Sequence, residues 1–241
     1  MRHGLELKKA VFHTICGRFD DWAQQFAFAC RRGCASCCTR HVTITGVEAQ
    51  IVLDHVVAGQ MQQWLAARLE TGLPEQRAGL TTNQLAQRCL EGGDPPAEHR
   101  DSGAPCPFLE HDRCMIYPAR PFACRCFAST SSCRPGGSAV VEPAYLAAAT
   151  AVSQIIEHLG QFDLWGNMLH VLYVIGCESK VIDPEPSENS LMDVRNRCTT
   201  AQPLPCFLLD ESDRVRVVPL IESIFRATVA GKTVENILNG R

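Results

Sequence analysis

The sequence lacks most of the signals that would assign a role at sight. Its 241 residues carry a net charge of −3, so no global basic field draws it to nucleic acid or anionic lipid. No run reaches the ~20 apolar residues needed to cross a bilayer. The best contender, Tyr145 to Leu159, is interrupted by Ser153, Gln154, Glu157 and His158. The opening stretch HGLELKKAVFHTICGRFDD keeps its charges throughout, unlike a secretory leader. There is no Gly-rich dinucleotide-type turn, no internal repeat and no low-complexity tract. No Ser-His-Asp order or pair of carboxylates points to hydrolysis, so no catalytic residue is assigned. These absences lead to the expectation of a soluble, cytoplasmic protein with neither nucleic acid nor membrane as partner.

Cysteine, by contrast, is abundant: fourteen residues, above ordinary usage yet sparser than in a small disulfide scaffold. In a reducing compartment, clustered thiols point to metal or redox chemistry rather than disulfides. The adjacent pair Cys37-Cys38 argues the same way, because a disulfide between neighbours is strained. Cys30, Cys34, Cys37 and Cys38 fall in CRRGCASCC, spaced C-x3-C-x2-C-C. A second group follows: Cys106, Cys114, Cys124, Cys126 and Cys133.

One tetrahedral site needs four thiolates. Successive side chains of an extended segment point to opposite sides, so Cys37 and Cys38 should serve different ions or different corners of a cluster. The first group therefore needs partners from the second. The arithmetic suits two four-coordinate centres or one polynuclear cluster.

Periodicity predicts a mostly α protein, with helices around an irregular cysteine-rich metal centre and at most short strands. Phe12, Ile15, Phe19, Trp22 and Phe26 form one stripe on a helix over 5–29, which would deliver Cys30. Residues 41–45 alternate as a short strand. Thr45 caps the next helix, from near Val47 to Val57, and Glu48 completes a capping box. Further helices are expected over 61–69 and 80–90. Residues 91–105 read as a loop, 106–133 as irregular structure, and Arg134-Pro-Gly-Gly as a break. A helical pair follows over 145–159 and 162–175, with Gly160 at the turn. A short helical piece is expected over 191–197 and a strand over 215–218. Terminal helices are expected over 221–229 and 234–238. The whole, 1–241, is read as one domain, with a metal-binding core at 30–133 and a helical extension at 142–241 packed on it.

The ordered elements C-x3-C-x2-CC, VTITGVEAQ and CPFLEHDRCMIYPARPFACRCF resemble the CxxxCxxCC cysteine-cluster family of zinc- or iron-chelating, Fe-S-cluster containing proteins. That family has CPFL, C-x-IY and RPxxC in this order. The resemblance covers residues 30–133 and implies Cys30, Cys34, Cys37, Cys38, Cys106, Cys114, Cys124 and Cys133 as metal ligands. Cys126 stands outside the pattern as a possible extra ligand. Arg120 matches the RP element and is expected to support the centre without binding metal itself. One branch of the family is similar to flagellin lysine N-methylases.

All-thiolate ligation suits both iron–sulfur and zinc. The C-x3-C-x2-C spacing and the uneven group of four favour an iron–sulfur cluster, 4Fe-4S, with zinc as the alternative. A radical S-adenosylmethionine site is disfavoured, since Ser36 stands where an aromatic residue is usual. Arg31, Arg32, Arg40, Arg113, Arg120 and Arg125 flank the cysteines, while no lysine occurs between Lys9 and Lys180. Guanidinium groups would offset an anionic thiolate centre. His41 and His111 could each replace a thiol, and Tyr117 and Phe122 should shield the centre. Cys16, Cys89 and Cys177 read as buried apolar residues. Cys198 and Cys206 could serve another metal or a redox pair.

Three functions follow as expectations. One is an iron–sulfur metalloprotein, or one with two four-thiolate sites, for redox or cofactor chemistry. Another is a methylase-like or oxidoreductase enzyme acting on a protein or small molecule. The third is a zinc-stabilised structural or metal-handling module.

Overall fold

A computed structural model describes residues 2–31, 33–94, 103–133, 138–182 and 188–240. Ten α-helices and only short antiparallel strands occur among these residues, so the protein is mostly α, as expected. No described helix is long and apolar enough to cross a membrane. Arg32, 95–102 of the expected loop and the break at 134–137 lie outside the described residues.

Helix α1, Arg2–Ala23, ends well before the predicted boundary. Aromatic packing explains the early stop. Phe26 and Phe28 leave helical phase to pack on Tyr145, with ring centroids 5.3 and 4.9 Å away. Cys30 is thus carried by an irregular segment rather than by the helix.

Strand β1, Thr43–Thr45, runs into α2, Gly46–Ala58. Thr45 caps α2 and Glu48 returns the bond, as the sequence signature requires. Both faces of α2 are buried. Val47 and Ile51 join one apolar cluster; Ala49, Val52, Leu53 and Val56 join a second. Helices α3, Gln62–Gly72, and α4, Thr82–Leu90, follow. Cys89 on α4 is exposed, contrary to the buried reading: it falls on the face away from buried Asn83 and Ala86.

The region read as irregular contains a hairpin, β2 Leu109–Glu110 against β3 Arg113–Cys114. Its two turn residues, His111 and Asp112, both have positive φ, which matches the right-handed twist of the flanking strands. A 3-10 turn, Tyr117–Ala119, and the short helix α5, Phe122–Cys126, complete this region.

Helix α6, Pro143–Leu159, agrees with expectation. The next predicted helix begins instead as strand β4, Leu164–Asn167, because those residues pair with β1 in the register Thr43↔Asn167. Asn167 then caps α7, Met168–Glu178, by accepting the Leu169 N–H at 3.0 Å. Helix α8, Glu188–Arg195, precedes β5, Thr199–Thr200, which pairs with β4. The strand expected over 215–218 lies inside α9, Glu211–Arg226. Buried Val217, Leu220, Ile221 and Ile224 recur there at three- and four-residue spacing, which only a helix can present to one core. Strands β6, Thr228–Val229, and β7, Lys232–Thr233, lead into α10, Val234–Leu238.

Helices α1, α6, α9 and α10 enclose the first apolar cluster; α2, α3, α7 and the β2–β3 region enclose the second. The cavity lined by the cysteines draws on both clusters, Phe19 and Tyr145 from the first and Ile116 and Met168 from the second.

Candidate metal centre

Backbone pairing brings the two cysteine groups together. Thr39 forms an antiparallel bridge with Pro105, and the Cys106 N–H donates to the Cys38 carbonyl at 3.0 Å. The Arg40 N–H donates to the Ala104 carbonyl at 3.0 Å, extending the pairing. The β2–β3 register sets Leu109 opposite Cys114, and the Leu109 N–H donates back to the Cys106 carbonyl at 3.2 Å. Cys124 arrives on α5.

On the other side, the Ala29 N–H donates to the Ser129 carbonyl at 2.8 Å, and the Ser129 N–H donates to the Cys30 sulfur at 3.3 Å. Between these anchors the loop turns at Gly33, whose φ of +91° favours a residue without a side chain.

A cavity of about 470 Å³ opens in front of these sulfurs. It is lined by seven of the eight expected ligand cysteines, Cys133 being the exception. Phe19, Phe26, Phe28 and Tyr145 form much of the opposite wall.

Burial and neighbouring thiols shift the cysteines of both groups. Burial raises the Cys30 thiol, Ser129 partly offsets this, and charge on Cys34, Cys37 and Cys133 raises it further. Burial likewise drives Cys124 far up, with charge on Cys106, Cys114, Cys126 and Glu48 adding to it. Cys106 is pushed up to about 11 by burial, with Cys114 contributing. The Cys37 thiol donates to the Cys38 sulfur, which lowers Cys38 against burial and against charge on Cys124, Cys106 and Cys114. The same bond, with burial, raises Cys37. By exposure, Cys30, Cys34 and Cys37 form an outer set on the Gly33 loop, and half-buried Cys38, Cys106, Cys114 and Cys124 form an inner set. The neighbours Cys37 and Cys38 fall in different sets.

Among the described residues, no three His, Cys, Asp or Glu side chains stand close enough together to hold one ion as they are. The donor chemistry nevertheless fits a thiophilic metal: eight thiols, seven of them facing one cavity.

Residues 29–143 match the model of the CxxCxxCC family, described as a "putative zinc- or iron-chelating domain". The match covers a little under half of the chain, residues 29–143 of 241. The CxxCxxCC name writes two residues between its first cysteines, whereas Arg31, Arg32 and Gly33 make three here. No curated protein and no solved structure matches the chain.

The remaining candidates in the matched region separate clearly. Cys126 lies off the cavity: its thiol donates to the Ala123 carbonyl at 3.5 Å and it packs against the first apolar cluster. Arg120 lines the cavity, its guanidinium 4.1 Å above the Tyr117 ring; burial raises the Cys114 thiol, and the Ile116 amide and the Arg120 charge only partly offset this. Arg31, Arg113 and Arg125 also line the cavity; Arg40 does not. His41 and His111 are exposed and off it. Tyr117 faces the thiols, but Phe122 is 2 % exposed and packs edge-on to Phe19 at 4.9 Å. Beyond that region, Cys206 shares a separate groove with Cys89 and Leu146, while Cys198 packs beside Gly166.

Two residues that position the site had no distinct signal. Ser129, 1 % exposed, holds the Cys30 sulfur through its amide while its hydroxyl accepts from the Val140 N–H at 3.0 Å. Glu48, legible only as a helix cap, also accepts the Phe122 N–H at 2.9 Å and so fixes the start of α5.

Proposed function

We propose that this chain is an iron–sulfur protein in which eight cysteines form two four-thiolate centres. Cys30, Cys34, Cys37 and Cys133 would hold one, and Cys38, Cys106, Cys114 and Cys124 the other. The observation that carries the reading is the convergence of seven of these eight cysteines on one cavity, with exposed thiols up to Cys37 and half-buried ones from Cys38 on. All-thiolate ligation suits an iron–sulfur cluster, and eight cysteines supply four protein ligands for each of two such centres. When bound, such a centre supplies one-electron redox chemistry or a Lewis-acidic iron. The chain's own part is to anchor thiolates, to offset their charge with Arg31, Arg113, Arg120 and Arg125, and to exclude water with the aromatic wall.

We read the chain as one domain, since β4, beyond the cysteine region, pairs with β1 inside it. A cytoplasmic setting fits free thiols. The cavity also lies within the size range of small-molecule sites, which favours an oxidoreductase or methylase-like activity as the second reading.

Anaerobic purification followed by iron, zinc and acid-labile sulfide analysis tests the first reading. A brown protein absorbing near roughly 400 nm, with iron and sulfide in similar amounts, is expected. A colourless protein with stoichiometric zinc would replace iron–sulfur by zinc, and absence of any bound metal would overturn the reading. The enzyme reading predicts that S-adenosylmethionine or a reductant changes the visible spectrum or the melting temperature; no response to either removes it.

A further inference from the structure

The two sets of thiols are held in different ways. Cys38, Cys106, Cys114 and Cys124 are all half-buried. The first two are joined through the backbone, Cys114 is fixed by the β2–β3 hairpin, and α5 carries Cys124. Cys106 and Cys114 pack against an apolar cluster that includes Phe108 and Ile116, which are 0 % and 2 % exposed. Freeing an ion from this set means parting a bridge, a hairpin and a helix that all rest on the core.

Cys30, Cys34 and Cys37 are exposed, on a segment without helix or strand. The bonds from Ala29 and Ser129 hold one end of that segment, and the turn over Gly33 is closed by the Cys34 N–H donating to the Arg31 carbonyl at 2.9 Å. Two of these cysteines can swing away without disturbing the core. An approaching thiolate would meet exposed Arg31 beside Cys30, which favours its negative charge.

Resting on the two-centre reading above, we propose that the inner set is a permanent centre. The outer set is an exchangeable one, at which thiophilic metal passes to or from a thiol-bearing acceptor. The step is ligand exchange without redox. Each acceptor thiol loses a proton as its sulfur bonds the metal. Each departing cysteine thiolate takes one up, and the metal keeps its oxidation state.

Zinc serves as the probe, because all-thiolate sites accept it. The full chain is loaded anaerobically and challenged with excess 4-(2-pyridylazo)resorcinol. Two phases of equal amplitude are expected, the second roughly tenfold slower or more, since it needs opening of core-packed structure. Cys34→Ser should remove the fast phase and keep the slow one. On the unmutated chain, iodoacetamide added during the fast phase should label Cys30, Cys34, Cys37 and Cys133 before the inner four. Two zinc ions leaving in one phase, or equal labelling of both sets, would overturn the inference and leave the two-centre reading standing. Fewer than two zinc ions bound per chain would overturn both.

Discussion

Glu48 accepts the backbone N–H of Phe122 at 2.9 Å, while its other oxygen takes the N–H and hydroxyl of Thr45. One buried carboxylate thus closes the capping box of α2 and fixes the first turn of α5, two residues before Cys124. Glu48→Ala would leave two buried amide donors unpaired, each costing about 1–3 kcal/mol. The melting temperature should fall by roughly 2–4 °C per kcal/mol, and metal should be lost faster from the chelator-challenged protein. Unchanged melting and metal retention would show that α5 is positioned by other contacts.

Cys124 and Cys126 offer a sharp contrast at nearly the same place in the chain. On a helix, residues two apart point about 200° apart, so only one of them can face the cavity. Cys124 does, and Cys126 bonds to the Ala123 carbonyl instead. Cys124→Ser should therefore lose inner-set metal and the folding free energy that comes with it. Cys126→Ser should keep the full metal complement. Metal analysis of the two variants decides; equal loss from both would make Cys126 a ligand.

What the sequence reveals and what it hides follow one physical division. The Thr45–Glu48 capping box and the bounds of α10 were legible because each is decided within a few residues. The short alternating run around Val215 misled, because two-residue and helical periods are indistinguishable over four positions. Burial of Leu220, Ile221 and Ile224 farther along settles the helix. Strand β4 depends on pairing with β1, more than a hundred residues away, and no local pattern announces it. The His111–Asp112 hairpin lacks the glycine that usually marks such a turn. At the site, the expectation that Cys37 and Cys38 point to opposite sides rested on an extended segment, whereas Cys37 lies in a turn and both residues line one cavity. The Thr39–Pro105 bridge and the Ser129 contact, which bring the two cysteine groups together, are made by tertiary packing.

Arg120 lines the cavity beside the thiols of the inner set. Its guanidinium is held 4.1 Å above the Tyr117 ring, and burial raises the Cys114 thiol while the Ile116 amide and the Arg120 charge partly offset this. Losing such a supporting group should weaken metal binding by about 10–100-fold. Arg120→Ala should show this in competition with a chelator. Arg120→Lys should recover only part, because a compact ammonium cannot stack as the planar guanidinium does. Wild-type affinity in Arg120→Ala would reduce the Arg120–Tyr117 pair to surface packing.

His170 gives the fold an acid-sensitive point outside the metal region. It is 0 % exposed, its Nε2 donates to the Pro74 carbonyl at 2.7 Å, and Nδ1 has no hydrogen-bond partner among the described residues. Burial holds its pKa below the ordinary 6.5, and the charge of Arg197 also lowers it, against the opposing Pro74 bond. The folded ring therefore stays neutral while the unfolded chain takes up a proton. Stability tied to this residue is complete above about pH 6.5 and is lost as pH falls from there through the lowered folded value. Cysteine protonation also weakens metal binding in acid, so the informative quantity is the difference between wild type and His170→Gln at matched metal content. That difference should shrink between about pH 7 and pH 5, because glutamine can keep the donor to Pro74 yet does not titrate. Parallel denaturation profiles across that interval would remove His170 as the source of the acid sensitivity.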